Sequence, residues 1–286
     1  MKNYKICIIG LGNVGLDLAL NFSKKFYTIG FDVNKELIKS IKIKKKKYLK
    51  SLHTDKNLLK VSSSHKLIVD CDIYIITVPT PVNSKKHPML DSIIQSTKLI
   101  SKYLSKNNIV IYESTFYPGL TEEICIPLIE RESKLKLNKD FLVGYSPERI
   151  NIGENKRNSQ DIIKITSGSN KIASSIIDNI YKSVIKAGTH NVESIKIAES
   201  VKMLENCQRD LNIALMNELT KFFKKINVDT KKVIEAASTK WNFVKYYPGL
   251  VGGDCIAVDP YYIIHAANKI DNNLPLLKLS RKTNEE

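Results

Sequence analysis

The sequence predicts an α/β protein: a doubly wound parallel sheet followed by a long helix and a small all-α domain. Three observations lead there. Short apolar, β-branched runs alternate with helical patterns over the first two thirds of the 286 residues. A glycine-rich turn joins the first run to the first helix, and after about residue 190 the strands give way to an apolar stripe at helical spacing.

Taken in order, "KICIIG" (5–10), "YTIGFD" (27–32), "IYIITV" (73–78), "IVIYES" (109–114) and "FLVGYS" (141–146) are strands. Their nearly continuous apolar character suits parallel strands covered on both faces. "DIIKIT" (161–166) makes a sixth, and helices occupy 14–25 and 91–105 between them. Residues 194–226 contain no Gly or Pro, and Ile197, Val201, Leu204, Leu211, Leu215, Leu219 and Phe222 recur on one stripe, so a single long helix is expected. A helix of that length spans between domains or packs in a dimer. Shorter helices follow at 230–238 and 260–268, and the charged "LSRKTNEE" ends the chain in helical pattern. The expected organisation is a nucleotide-binding domain over 1–190 and a helical domain over 191–286.

Composition narrows the function. The chain is 43% hydrophobic and 26% charged, which is globular, with a formal charge of +16. The lysines are scattered apart from "KIKKKK" at 42–47, and no aromatic interleaving accompanies them, so nucleic acid is not an expected partner. Cys7, Cys71, Cys125, Cys207 and Cys255 make an odd number without paired spacing, which points to a reducing compartment and a cytoplasmic location. No C-x-x-C or H-E-x-x-H occurs, so no metal is expected. The N-terminal apolar run is broken by glycines and Asp17, unlike a signal peptide, and no run reaches membrane-spanning length.

"IIGLGNVG" carries Gly10, Gly12 and Gly15, with Asn13 and Val14 between the last two, after a strand and opening a helix. This is the Rossmann-like arrangement: the first glycine makes the turn, the second admits a pyrophosphate, and the third lets helix and strand pack closely. The second strand ends in Asp32, where a carboxylate accepts ribose hydroxyls and repels a 2′-phosphate, so NAD is the expected cofactor. "TVPTP" (77–81), "ESTFYPG" (113–119) and "YSPERIN" (145–151) also follow strand ends, where open α/β sheets bind ligands. Pro79, Thr80, Ser114 and Thr115 are the cofactor candidates there. In "VGGDCIAVDPYY" (251–262), Cys255 follows two glycines and precedes an acid; from the residues alone it is a nucleophile, a ligand or a packed thiol.

In order and content these motifs, with "AESVKMLENCQRDLNIALMNEL", resemble the UDP-glucose/GDP-mannose dehydrogenase family, most closely its UDP-N-acetylhexosamine 6-dehydrogenase branch. The resemblance runs over nearly the whole chain. It implies NAD-dependent, two-step oxidation of a UDP-sugar C6 alcohol to a carboxylate for surface polysaccharide synthesis. Cys255 matches the nucleophile that carries the intermediate as a thiohemiacetal and then a thioester. Lys202 and Asn206, one turn apart, match the pair that stabilises charge on the C6 oxygen. Asp259 matches a proton-handling carboxylate, Glu148 the residue linked to thioester hydrolysis, and Thr115 one that positions water or cofactor. Glu148, Arg149, Ile150, Asn151, Lys202, Asn206 and Gly252 are the substrate-binding candidates, and the long helix is the expected homodimer contact.

The pattern departs in two places. Asp254 stands where the branch usually has His, and an anion there raises a thiol's pKa. The family's C-terminal UDP-gripping domain is expected to be absent from these 286 residues. Rival readings are an inactive NAD-binding, dimerising remnant, a UDP-glucose 6-dehydrogenase, or a hydroxyacid-type dehydrogenase; the last leaves the Gly-Gly-x-Cys loop without a purpose.

Overall fold

A computed structural model describes residues 3–51, 58–150, 159–253 and 256–286. Asn151, Asp254 and Cys255 lie outside them. By contacts the chain divides into one unit of Met1–Thr80 and Met89–Lys202, and another of Pro81–Pro88 and Met203–Glu286.

The first unit holds eight strands among its described residues: β1 (Lys5–Ile9), β2 (Tyr27–Phe31), β3 (Leu59–Ser62), β4 (Ile73–Ile76), β5 (Asn108–Tyr112), β6 (Phe141–Tyr145), β7 (Lys164–Gly168) and β8 (Thr189–Asn191). They form one sheet in the order β3-β2-β1-β4-β5-β6-β7-β8. Helices α1 (Asn13–Phe22), α2 (Lys35–Ser51), α3 (Asp91–Ser101), α4 (Ile126–Ser133) and α5 (Lys171–Lys182) connect them. β4 and β5 are buried at every residue, as an apolar run covered on both faces requires. Ile6, Ile8, Phe22, Ile73, Ile75, Ile109, Ile111, Ile177 and Tyr181 share one core cluster. Each fully buried side chain of this kind contributes about 1.5–3 kcal/mol. Local chemistry sets some of the ends: the Asn170 side chain accepts from the Ala173 amide to start α5, and Lys134 closes α4 in the left-handed region at φ 63°.

Two strands go beyond the sequence reading, and one runs against it. β3 and β8 extend the sheet at its edges; "LKVS" is too short, and "THN" too polar, to register as strands. The strand expected at 161–166 runs at Lys164–Gly168, with Ser159–Asp161 forming a 3₁₀ turn ahead of it. It pairs antiparallel to β6, whereas the other pairings are parallel. An antiparallel neighbour needs no crossover helix.

Helix α6 (Ile195–Lys225) is 31 residues long, and the boundary between the two units falls inside it, after Lys202. In the second unit follow α7 (Thr230–Ala237), α8 (Asp259–Asn268) and α9 (Pro275–Glu285). Asp229 caps α7 by accepting from the Lys231 and Lys232 amides. Buried Asp210 on α6 fastens α9, accepting from Ser280 Oγ (2.9 Å), Arg281 Nη1 (2.5 Å) and Asn284 Nδ2 (2.8 Å). No helix among the described residues is long and apolar enough to cross a membrane.

Candidate active site

The strand order reverses between β1 and β4, and the chain leaves these neighbours in opposite directions. The crevice so opened at the carboxyl ends of the strands is where a doubly wound sheet takes its ligand. Gly10 turns the chain there at φ 92°. Its amide donates to Phe31 O (2.8 Å) and its carbonyl accepts from Thr77 Oγ1 (2.7 Å). A Cβ at Gly15 would stand 1.9 Å from Gly10 O and 2.5 Å from Thr77 Oγ1, so only glycine fits. A Cβ at Gly12 would meet nothing within 4 Å, leaving the approach open where a pyrophosphate has to come close.

Asn13, Val14 and Gly15 form the first turn of α1; the helix has no side-chain cap and that turn holds no acidic residue. Its amides and the positive end of its dipole therefore suit an anion. At the end of β2, Asp32 accepts from the Leu11 amide through Oδ2 (2.7 Å) and from the Asn34 amide through Oδ1 (2.8 Å). A carboxylate oxygen retains acceptor capacity beyond one such bond, so ribose hydroxyls fit as well. This cradle fits NAD. Pro79 is exposed and Thr80 half-buried in the loop after β4. Ser114 Oγ donates to Val78 O (2.7 Å), tying the ends of β4 and β5 together, and Thr115 follows it half-buried.

After β6, Glu148 folds back on its own loop. Its Oε1 accepts from the amides of Arg149 (2.7 Å) and Ile150 (2.8 Å). Arg149 Nη1 donates to Ile163 O at 2.7 Å. Lys202, 6% exposed on α6, donates from Nζ to Glu148 O at 2.8 Å, so the structure brings these two expected site residues together. It adds Lys164, Glu113 and Tyr181, which the sequence reading did not single out. Lys164 Nζ on β7 stands 2.7 Å from Glu113 Oε2 and 3.4 Å from Glu148 Oε2, and the Tyr181 hydroxyl donates to Glu113 Oε1. The signal was present as a lone lysine inside the strand-like run "DIIKIT".

Burial acts to raise the Glu148 carboxyl, but Lys164, the Ile150 and Arg149 amides and Lys202 outweigh it and hold it below the usual value. Burial acts to lower Lys164, and the two carboxylates outweigh that, keeping it charged. A further staple was missed: Glu199 on α6 accepts from the Gly119 amide (2.6 Å), the Thr121 amide (3.0 Å) and Thr121 Oγ1 (2.6 Å), holding the loop that follows Thr115.

In the second unit the structure joins another expected pair. Asn206 Nδ2 donates to Asp259 Oδ2 at 2.5 Å, with Asp259 wholly buried at the start of α8. Gly252 is exposed and a Cβ there would meet nothing within 4 Å, while Gly253 adopts φ 82°. The loop ahead of Cys255 thus has open glycine backbone on its approach. Cys7, Cys71, Cys125 and Cys207 are buried free thiols. Burial pushes Cys125 and Cys207 up to about 12, so both stay protonated at neutral pH.

Two models of one protein family match the chain. Residues 4–185 match the model of the UDP-glucose/GDP-mannose dehydrogenase family, NAD binding domain, and residues 196–286 match that family's central domain. UDP-N-acetyl-D-glucosamine 6-dehydrogenase of Salmonella typhi is 47% identical over 284 residues, covering 98% of this chain and 67% of the relative. The Pseudomonas aeruginosa protein of the same name is 44% identical, covering 100% of this chain and 68% of the relative. The solved structure of a UDP-D-ManNAc dehydrogenase from Pyrococcus horikoshii superimposes with a TM-score of 0.89 at 29% identity, covering 98% of this chain and 68% of that one. The chain therefore spans about two thirds of the length of these relatives.

Proposed function

This chain belongs to the UDP-glucose/GDP-mannose dehydrogenase family, and from that premise we propose that it oxidises the C6 alcohol of a UDP-N-acetylhexosamine to the carboxylate, with Cys255 as covalent carrier, for surface polysaccharide synthesis. What carries the substrate reading is the likeness to two UDP-N-acetyl-D-glucosamine 6-dehydrogenases at 47% and 44% identity. NAD, held by the Gly10–Gly15 turn and Asp32, supplies the hydride acceptor for each of the two oxidations.

The chain's own residues do the rest. Lys202 brings an ammonium with three donors, one of which goes to the Glu148 carbonyl, and Asn206 brings an amide; both suit the negative charge that grows on the C6 oxygen. The C6 hydroxyl gives up its proton as the first C6 hydrogen leaves as hydride, giving an aldehyde; the Cys255 thiolate then bonds to C6 and the C6 oxygen takes a proton back, giving a thiohemiacetal. Loss of the second hydride and of that proton leaves a thioester. Glu148 then takes a proton from water, whose oxygen attacks C6; the C–S bond breaks, the thiolate returns, and the acid leaves as the carboxylate, its second proton passing to solvent. Asp259, bound to Asn206, orients that amide and stands by as a proton acceptor. The exposed stripe of α6 is the proposed contact with a second copy of the chain.

The deciding experiment follows NADH and uronate formation from UDP-N-acetylglucosamine in the wild type and in Cys255→Ser. The expected outcome is loss of uronate and of the cysteine-linked intermediate, because a serine alkoxide is harder to form and its ester more stable. Unchanged uronate production in Cys255→Ser overturns the carrier role.

A further inference from the structure

We propose that Lys164, itself held by Glu113, is a positioning residue that sets the Glu148 side chain as a proton acceptor for the hydrolytic step. The inference rests on the reading of Glu148 given above. Lys164 is 5% exposed and Glu113 3% exposed, both in the sheet's interior. An ammonium is costly to bury unless charges and hydrogen bonds compensate it. Here the compensation is geometric. Glu113 Oε2 lies 2.7 Å from Lys164 Nζ, while Glu113 Oε1 is taken by the Tyr181 hydroxyl, whose ring also lies under the ammonium at 5.7 Å. With Glu113 and Tyr181 fixing it from one side, the ammonium presents its other side to Glu148 Oε2 at 3.4 Å.

The consequence falls on Glu148. Its Oε1 already accepts two backbone amides, those of Arg149 and Ile150. With Lys164 on Oε2, donors or a cation serve both oxygens, an arrangement that favours the anion over the acid. The charges facing this carboxylate are Lys164 from β7, Lys202 from α6, Glu113 at the end of β5 and Asp17 from α1. The two carboxylates oppose ionisation and the two lysines favour it; the balance lies below the usual carboxylate value. A group held this way is ionised at neutral pH, ready to take a proton from water rather than give one to the thioester. Glu113 is remote from the reaction in this account and acts through Lys164.

The experiment is a carboxyl infrared titration of the purified chain, with the Glu148 band identified by its loss in Glu148→Gln. The wild-type midpoint is expected below 4.5, the ordinary value for this group. Lys164→Met is expected to raise it by about one pH unit or more, a tenfold gain in proton affinity, and Lys164→Arg to restore it. If Lys164→Met fails to fold, Lys164→Met/Glu113→Gln removes the buried pair together and serves in its place. In turnover the acidic limb of the uronate-forming kcat should move up with the infrared midpoint, while KM for the sugar nucleotide stays put. A wild-type midpoint at or above 4.5, or a folded Lys164→Met or Lys164→Met/Glu113→Gln variant whose midpoint does not move, overturns the proposal. A Glu148→Gln enzyme with normal uronate formation instead overturns the role of Glu148, and the infrared shift still reports the coupling to Lys164.

Discussion

Asn206 and Asp259, 53 residues apart in sequence, meet across 2.5 Å in the helical unit, Asp259 with no exposed surface and Asn206 with 9%. The pair separates two roles of one carboxylate. Asp259→Asn keeps an acceptor oxygen for Asn206 and loses only the charge at the helix start, so its stability should stay within about 1 kcal/mol of wild type. Its rate of NADH formation should fall at least about tenfold, because the proton acceptor is gone. Asp259→Leu strands the buried Asn206 amide and should cost about 1–3 kcal/mol in addition. Thermal melts beside steady-state rates check both; an Asp259→Asn enzyme with wild-type kcat removes Asp259 from the chemistry.

Glu199 should make stability depend on pH. Burial pushes its carboxyl up to about 7, against the Thr121 and Gly119 hydrogen bonds, from an ordinary 4.5. Between those values the folded chain binds more protons than the unfolded chain. The contribution is therefore present below 4.5 and fades as pH rises towards about 7. Glu199→Gln, which has no such titration, should lack this fall. Melting temperatures of the two proteins on either side of the window decide it; parallel curves refute the reading.

Gly12 and Gly15 should fail in different ways. Gly15→Ala puts a methyl 1.9 Å from Gly10 O, so the turn itself must move, at a cost of about 1–3 kcal/mol. Gly12→Ala meets nothing within 4 Å and should melt as wild type, yet bind NAD about tenfold or more weakly because the methyl occupies the pyrophosphate's approach. Asp32 should keep NADP binding weaker than NAD by repelling the 2′-phosphate. Calorimetric titration of NAD and NADP into the three proteins tests all of this, and tight NAD binding by Gly12→Ala would sink the cradle geometry.

The α6 stripe should carry a homodimer. Leu204 is 70% exposed, Leu215 48% and Phe222 54%, separated by 11 and 7 residues, close to whole turns, so they share a face. Leu204→Glu/Phe222→Glu should convert a dimer to a monomer on light scattering while circular dichroism stays unchanged. A wild-type chain that is monomeric at tens of micromolar contradicts it.

The strands β1, β2, β4, β5 and β6 were legible because each is a near-continuous apolar run, and burial on both faces of a parallel sheet demands that pattern. The glycine turn was legible for a related reason: Gly10, Gly12 and Gly15 act within six residues, so spacing alone carries the geometry. The 31-residue α6 announced itself by an unbroken helical period.

Where a feature depends on which strands become neighbours, the sequence is silent. Nothing in "DIIKIT" says that β7 runs antiparallel to β6, since direction is decided by the connection and not by the run. Glu113, Glu148 and Lys164 carry no shared spacing; they meet because β5, β6 and β7 lie side by side. Local periodicity records which face of an element is buried, and the sequence by itself determined that much, together with the turn that cradles the cofactor. Which buried charges face one another is a property of long-range packing: only tertiary structure could pair Lys164 with two carboxylates, Asn206 with Asp259, and Glu199 with the loop at Gly119.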